Sequence, residues 1–198
     1  ADVAIFMAQQ QQEVEDSASS SFHIVGMDPS KNMLQVGQTK IEELKYNNKI
    51  TLIQGDARDA TLEYIQQEVA KQKTTSSHHV VDFDLFDAAT MSFGIRNVPG
   101  QDRSRALCRL YNVLKPNATL AVLEFSESST ATNPLELEYW AKLFVRYVVP
   151  KVGAILSGNT NAYMHLQHSI EKFPSPSDFI HLLEHVTTIP QQDQQQDQ

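Results

Sequence analysis

Residues 83–125 read FDLFDAATMSFGIRNVPGQDRSRALCRLYNVLKPNATLAVLEF, and the order of apolar patterns within them decides the fold class. Phe83 to Phe93 is an apolar run followed by Gly94. Ala106, Leu107, Leu110, Val113 and Leu114 then recur at helical spacing. Lys115-Pro116-Asn117 is the expected stop, because proline has no N–H to give the helix ladder. Thr119 to Phe125 alternates β-forming residues. Strand, helix and strand in that order predict parallel strands joined by a crossover helix.

The same unit occurs upstream. Phe22 to Met27 is a short β-rich run ending at Asp28-Pro29, where the carboxylate is expected to cap a helix whose first position takes the proline. Met33, Gly37, Ile41 and Leu44 then form one inward stripe, down to the break at Tyr46-Asn47-Asn48. Lys49 to Gln54 alternates as a strand, and Gly55-Asp56-Ala57 turns the chain. The repeat predicts an α/β fold, a mostly parallel sheet with helices on both faces. Such sheets bind ligands beyond the carboxyl ends of their strands. Asp28, Asp56, the residues after Thr90, and Glu124 all fall there.

Gln9 to Ser21, Thr61 to His79 and Gln191 to Gln198 are polar, low-complexity tracts, expected to be solvent-exposed, the second with some helical character. The length of 198 residues fits one core over residues 1–186, with insertions near 9–21 and 61–79 and a polar tail over 187–198. The formal charge is -8, and the basic residues are scattered, so there is no basic field for a nucleic-acid partner. Cys108 is the only cysteine; it excludes an intramolecular disulfide and is expected to be a buried structural thiol. His78-His79 has no partners that would make a metal site, so it is expected to be plain loop. No apolar run approaches the ~20 residues that cross a bilayer. Asn133 to Val149 carries Leu135, Trp140, Phe144, Tyr147 and Val148 near helical spacing, as a core face or an apolar lid. Tyr163 to Phe173 and Ser177 to Glu184 read as two further helices, separated by Pro174 and Pro176.

An acidic residue closing a strand of a nucleotide-binding sheet can accept both ribose hydroxyls, which singles out Asp28. Asp56 can accept a hydrogen from an adenine amino group, and Ala57 leaves room for the ring. An NAD-dependent enzyme shares the first feature, so these residues alone leave that class open.

Phe93-Gly94-Ile95-Arg96-Asn97 is more specific. Preceded by Ala88-Ala89-Thr90-Met91-Ser92 and followed by Leu114-Lys115-Pro116 and Leu123-Glu124-Phe125-Ser126, it resembles a signature of the ubiquinone/menaquinone C-methyltransferases. Tyr163, Leu166, Ser169, Ile170, Phe173 and Pro174 resemble a second signature of that family, and Gly26-Met27-Asp28 with the helix through Met33 to Gly37 extends the likeness. The resemblance implies a Rossmann-like class I methyltransferase sheet dependent on S-adenosyl-L-methionine. It places the family's glycine-rich loop just before Ala1, with Asp2 as its last remnant, and a β-hairpin after Thr187. The sheet is therefore expected to lack its first strand and its C-terminal hairpin. Asn117-Ala118 stands where the family has two glycines, and His165 and His168 replace a tyrosine and a glutamate.

The activity so implied is methyl transfer to a ring carbon of a polyprenyl benzoquinol in ubiquinone biosynthesis. Demethylmenaquinol methylation and a non-catalytic subunit of a quinone-biosynthesis complex are the alternatives. Arg96 and Asn97 are the implied catalytic pair, Arg96 holding a phenolate or orienting the water that takes the ring proton. The competing role for Arg96 is a bond to a structural carboxylate. Asp2, Asp28, Asp56, Ala57 and Ser92 are the implied cofactor residues. Tyr163 and Ser169 would line the quinone pocket, with Trp140, Phe144 and Tyr147 toward the apolar tail. Expected partners are a polyprenyl quinol substrate, other quinone-biosynthesis proteins, a second copy in a homodimer and a peripheral membrane contact. The expected place is the matrix side of the mitochondrial inner membrane, with a bacterial-type cytoplasm as the alternative.

Overall fold

A computed structural model describes residues 1–15, 22–73, 83–124, 169 and 172–188. The chain divides into two compact units, Ala1–Ala89 with Arg105–Leu120, and Thr90–Ser104 with Ala121–Gln198.

The first unit is built on β1 (Ile24–Asp28) and β2 (Ile50–Gln54), which pair in parallel from Ile24 opposite Ile50 to Asp28 opposite Gln54. Side chains on a strand alternate between faces, and the packing follows that alternation. Ile24, Ile50 and Leu52 join Ala4, Ile5 and Ala8 of α1 (Asp2–Glu15) and Ile41 of α2 (Lys31–Glu43). Val25, Met27 and Ile53 face the other way, onto Ile65 and Val69 of α3 (Leu62–Lys73), Ala60 and Val113. The pair is thus covered on both faces, as a parallel sheet requires.

Leu52 sets how closely α2 approaches. A Cβ at Gly26 would lie 2.7 Å from Leu52 Cδ2, and one at Gly37 would lie 2.7 Å from Ala1 Cβ and 2.9 Å from Leu52 Cδ1. The two glycines give the leucine its space in sheet and helix alike. Helix α2 ends in a Schellman arrangement, Tyr46 N–H donating to the Ile41 carbonyl at 2.9 Å and Lys45 N–H to that of Glu42 at 3.1 Å. Lys45 takes the left-handed conformation there, at φ 62°.

The second sheet pairs β3 (Phe86–Ser92) with β4 (Leu114–Leu123), and α4 (Arg103–Asn112) lies between them in sequence. Phe86 N–H donates to the Val113 carbonyl and Phe93 N–H to that of Leu123, so the partners advance together and the strands run parallel, as expected. Asn117, on the longer path between those two bonds, sits at φ 65°. That left-handed value suits glycine, or asparagine as here. In the second unit Phe173 is buried and meets Phe179 of α5 (Pro176–Thr188) at 5.3 Å between ring centroids. Ser175 Oγ accepts from Asp178 N–H at the start of α5.

Several expectations are corrected. Ser30, not Asp28, caps α2: its φ is -88°, its hydroxyl accepts from Met33 N–H, and Pro29 precedes the cap instead of opening the helix. Only the middle of the predicted α2 stripe is inside; Gly37 and Ile41 are buried, whereas Met33 is 58% and Leu44 48% exposed. The tract from Gln9 continues α1 to Glu15 and is exposed over Gln9–Gln12, as expected. The tract from Thr61 has the expected helical character as α3 but is not simply solvated, because Ile65 and Val69, four residues apart, reach the core. Lys115-Pro116-Asn117 lies within β4, because α4 already ends at Asn112. Cys108 is half-buried instead of buried. His78-His79, the Asn133–Val149 segment, most of Tyr163–Phe173 and the glutamine tail lie outside the described residues. No helix among the described residues is long and apolar enough to cross a membrane.

Two substitutions test this packing. Lys45→Gly is expected to raise stability by ~1 kcal/mol by relieving the left-handed residue at the helix end. Gly26→Ala is expected to lower it by about 1–3 kcal/mol by driving a methyl into Leu52. Both are read from urea denaturation midpoints.

Candidate active site

The second unit turns sharply where β3 ends. Phe93 adopts φ 55°, a conformation that costs a residue with a Cβ, and Asn97 Nδ2 donates back to the Phe93 carbonyl at 3.2 Å. Between them Ile95–Asn97 is one turn of 3₁₀ helix with Ile95 fully buried. The bend presents Arg96 to Glu124, the residue after β4. The Arg96 backbone N–H donates to Glu124 Oε2 and its Nε to Oε1, both at 3.1 Å. The side chains are 7% and 4% exposed, so this is a buried ion pair. Arg96 Nη1 donates to Ser169 Oγ.

Three sequence features thus meet at one guanidinium: the FGIRN bend, the glutamate after β4, and the serine of the second signature. The competing role for Arg96, a bond to a carboxylate, is present in the structure. It leaves Nη2 without a hydrogen bond among the described residues. Arg96 also lines a cleft of about 530 Å³ together with Asn97, Arg103, Ser169 and Lys172. Sequence reasoning passed over Arg103 and Lys172.

The first unit carries Asp28 and Asp56. Asp28 closes β1, and its Oδ1 accepts from Ser30 N–H at 2.8 Å. Asp56 follows β2 and caps the 3₁₀ turn Ala57–Asp59. Its Oδ1 accepts from the backbone N–H and Nε of Arg58, and its Oδ2 from Arg58 Nη2, each at 2.9 Å. Arg58 holds the Asp56 carboxyl below the usual carboxylate range, chiefly by hydrogen bonding. Because β1 and β2 are adjacent and parallel, Asp28 and Asp56 share one end of the sheet. Asp2 is not brought to them. It heads α1 and bonds Lys40 Nζ at 2.7 Å, beside the last turn of α2, whose first turn is the one next to Asp28. Ser92 ends β3 and is half-buried in the second unit. Tyr163 lies outside the described residues. No group of His, Cys, Asp and Glu suited to a metal occurs among the described residues.

Residues 1–189 match the model of the ubiE/COQ5 methyltransferase family. The chain belongs to this family. Its relatives include the ubiquinone/menaquinone biosynthesis C-methyltransferase UbiE of Rhodopseudomonas palustris, 33% identical over 167 residues, which are 84% of this chain and 56% of the relative. Others are the mitochondrial 2-methoxy-6-polyprenyl-1,4-benzoquinol methylases of Bos taurus and Homo sapiens, each 32% identical over 178 residues, 90% of this chain and 46% of the relative. The chain spans about half the length of the curated relatives it matches. Family membership makes the fold a Rossmann-like class I methyltransferase, in agreement with the parallel strands and the helices on both faces of β1–β2.

The buried pair is open to a double-mutant cycle. Arg96→Met and Glu124→Met are each expected to cost ~3–5 kcal/mol, because each leaves an uncompensated buried charge. The double variant should lose much less than the sum. Urea denaturation followed by circular dichroism checks this; additive losses would show that the two groups do not depend on each other.

Proposed function

We propose that the protein transfers a methyl group from S-adenosyl-L-methionine to a ring carbon of a polyprenyl benzoquinol, as a peripheral protein of the mitochondrial inner membrane, matrix side. The observation that carries this reading is the meeting of Arg96, Glu124 and Ser169, drawn from separate motifs of the family, beside one cleft. The names of the mitochondrial and bacterial relatives support the quinone acceptor and the two candidate compartments.

The residues at the sheet end fit the cofactor's nucleoside. A carboxylate offers about four acceptor positions. Asp28 uses one of them, on Ser30, and keeps its Oδ2 unbonded among the described residues, which suits a pair of ribose hydroxyls. Asp56 accepts three hydrogens from Arg58 and has room for one more, which suits a single adenine amino group. Ala57 leaves space for the ring. When bound, S-adenosylmethionine supplies a methyl group already activated by its sulfonium, so the protein works by alignment and by managing charge on the acceptor.

On the acceptor side Arg96 orients the water that receives the ring proton. Glu124 and Ser169 hold its Nε and Nη1, so its remaining Nη2 edge has one direction. Asn97 holds the bend and Ser169 borders the quinone; the family signature assigns the same role to Tyr163, which lies outside the described residues. Other quinone-biosynthesis proteins and a second copy of the chain complete the proposed set of partners.

The test is methyl transfer by the full-length protein to short-chain benzoquinol and naphthoquinol acceptors, with cofactor affinity measured by calorimetry. The benzoquinol is expected to be preferred. Asp28→Ala should weaken cofactor binding by roughly 10- to 100-fold. Arg96→Lys should bind the cofactor normally yet turn over ~10²-fold more slowly. Cofactor binding without transfer to either acceptor favours the non-catalytic subunit, and preference for the naphthoquinol favours the menaquinone branch.

A further inference from the structure

Arg103 is the buried charged residue of the cleft that the pairing above does not explain. It opens α4, is 8% exposed, and its Nε has no hydrogen-bond partner among the described residues. Its guanidinium carbon lies over the Phe173 ring, 5.0 Å from the centroid, within the range of a cation–π contact. Burial draws the group below the ordinary arginine range, with the charge of Glu124 opposing. Glu124 already bonds Arg96 twice, and no carboxylate among the described residues forms an ion pair with Arg103. Asp102, the residue before it, does not line the cleft. Lys172, which does, is exposed.

A buried guanidinium whose nearest carboxylate is committed to another arginine is under-compensated. An anionic oxygen in the cleft relieves this. Val98 and Pro99 give the cleft an apolar wall, which suits a flat ring carrying one charged oxygen better than a hydrated phosphate.

We propose that Arg103, assisted by Lys172, forms a subsite for the ionised hydroxyl of an aromatic acceptor. This rests on the quinol methylase reading and divides its labour: Arg103 holds the ring oxygen, and Arg96 serves the proton that leaves the ring carbon. The hydroxyl proton goes to solvent, and the oxygen's charge, held by the guanidinium, raises electron density at the neighbouring ring carbon. Arg103 binds the acceptor and is not the base.

The probe is 4-nitrophenol, whose ionised form is coloured, titrated into the full-length protein with and without inorganic phosphate. The wild type should prefer the ionised form, seen as a shift of the bound ligand's ionisation to lower pH. Arg103→Gln should weaken nitrophenolate binding about 10- to 100-fold, with Arg103→Lys intermediate. Lys172→Gln, at an exposed position, decides the matter if Arg103→Gln does not fold, and should weaken binding by a factor of about two to five. Equal affinity for the neutral and ionised forms overturns the proposal, as does phosphate displacing the probe at lower concentration than the probe itself binds. Methyl transfer separates the two readings. Nitrophenolate binding that depends on Arg103, in a protein that methylates no quinol, rejects the methylase and keeps the oxyanion subsite. Methylation with unchanged KM and kcat in Arg103→Gln rejects the subsite and keeps the methylase.

Discussion

The bond between Glu124 and Arg96 is the constraint on which the second unit's site depends. The carboxylate takes both the backbone N–H and Nε of the same arginine, so it fixes where the residue sits as well as where its side chain points. That double attachment requires the 3₁₀ turn at Ile95–Asn97, which in turn requires the left-handed Phe93. Ser169 adds a third fixed point. A buried ion pair is seldom more stabilising than a well-packed apolar pair of the same size. Its use here, with an unfavourable backbone angle beside it, argues for a gain in position instead of in stability.

What the sequence made legible follows from the range of each signal. Strand and helix patterns are local, so the order of elements, the parallel pairing and the placement of Asp28, Asp56 and Glu124 at strand ends could be read directly. Capping is also local but degenerate. Asp28 and Ser30 are both good caps two residues apart, and the backbone angle that selects Ser30 is set by the turn after β1. The polar tract from Thr61 was misjudged for a different reason. Ile65 and Val69 make a stripe too narrow to stand out from composition, yet with the partly buried Leu62 and Tyr64 they pack α3 into the cluster around Ile53. Met33 and Leu44 show the opposite error, since an apolar residue at helical spacing is inside only where a neighbouring element covers it.

The candidate site was legible as a motif and not as an arrangement. FGIRN marked Arg96, but that its partner would be Glu124, 28 residues away, is a matter of two parallel strands ending together. Ser169 is 73 residues away from Arg96, and only the fold brings them into contact. Arg103 had no motif at all. Its interest lies in what surrounds it, a ring on one side and, among the described residues, a nearby carboxylate already bonded to Arg96, and neither is a property of residues near it in sequence.

The chain's overall charge bears on how such a site is filled. At a formal charge of -8 the protein does not draw anions from a distance. Screening confines the cleft's cations to within about 8 Å at physiological salt. A ring hydroxyl resembling that of tyrosine, with a pKa of ~10, is neutral in solution near pH 7. An acceptor of the proposed kind would therefore enter uncharged, driven by its apolar surface, and meet Arg96, Arg103 and Lys172 in the cleft. There Coulomb attraction is strongest, because the surroundings are least polarisable. On the proposed reading the phenolate would form only beside Arg103 in the cleft, and not in bulk solution.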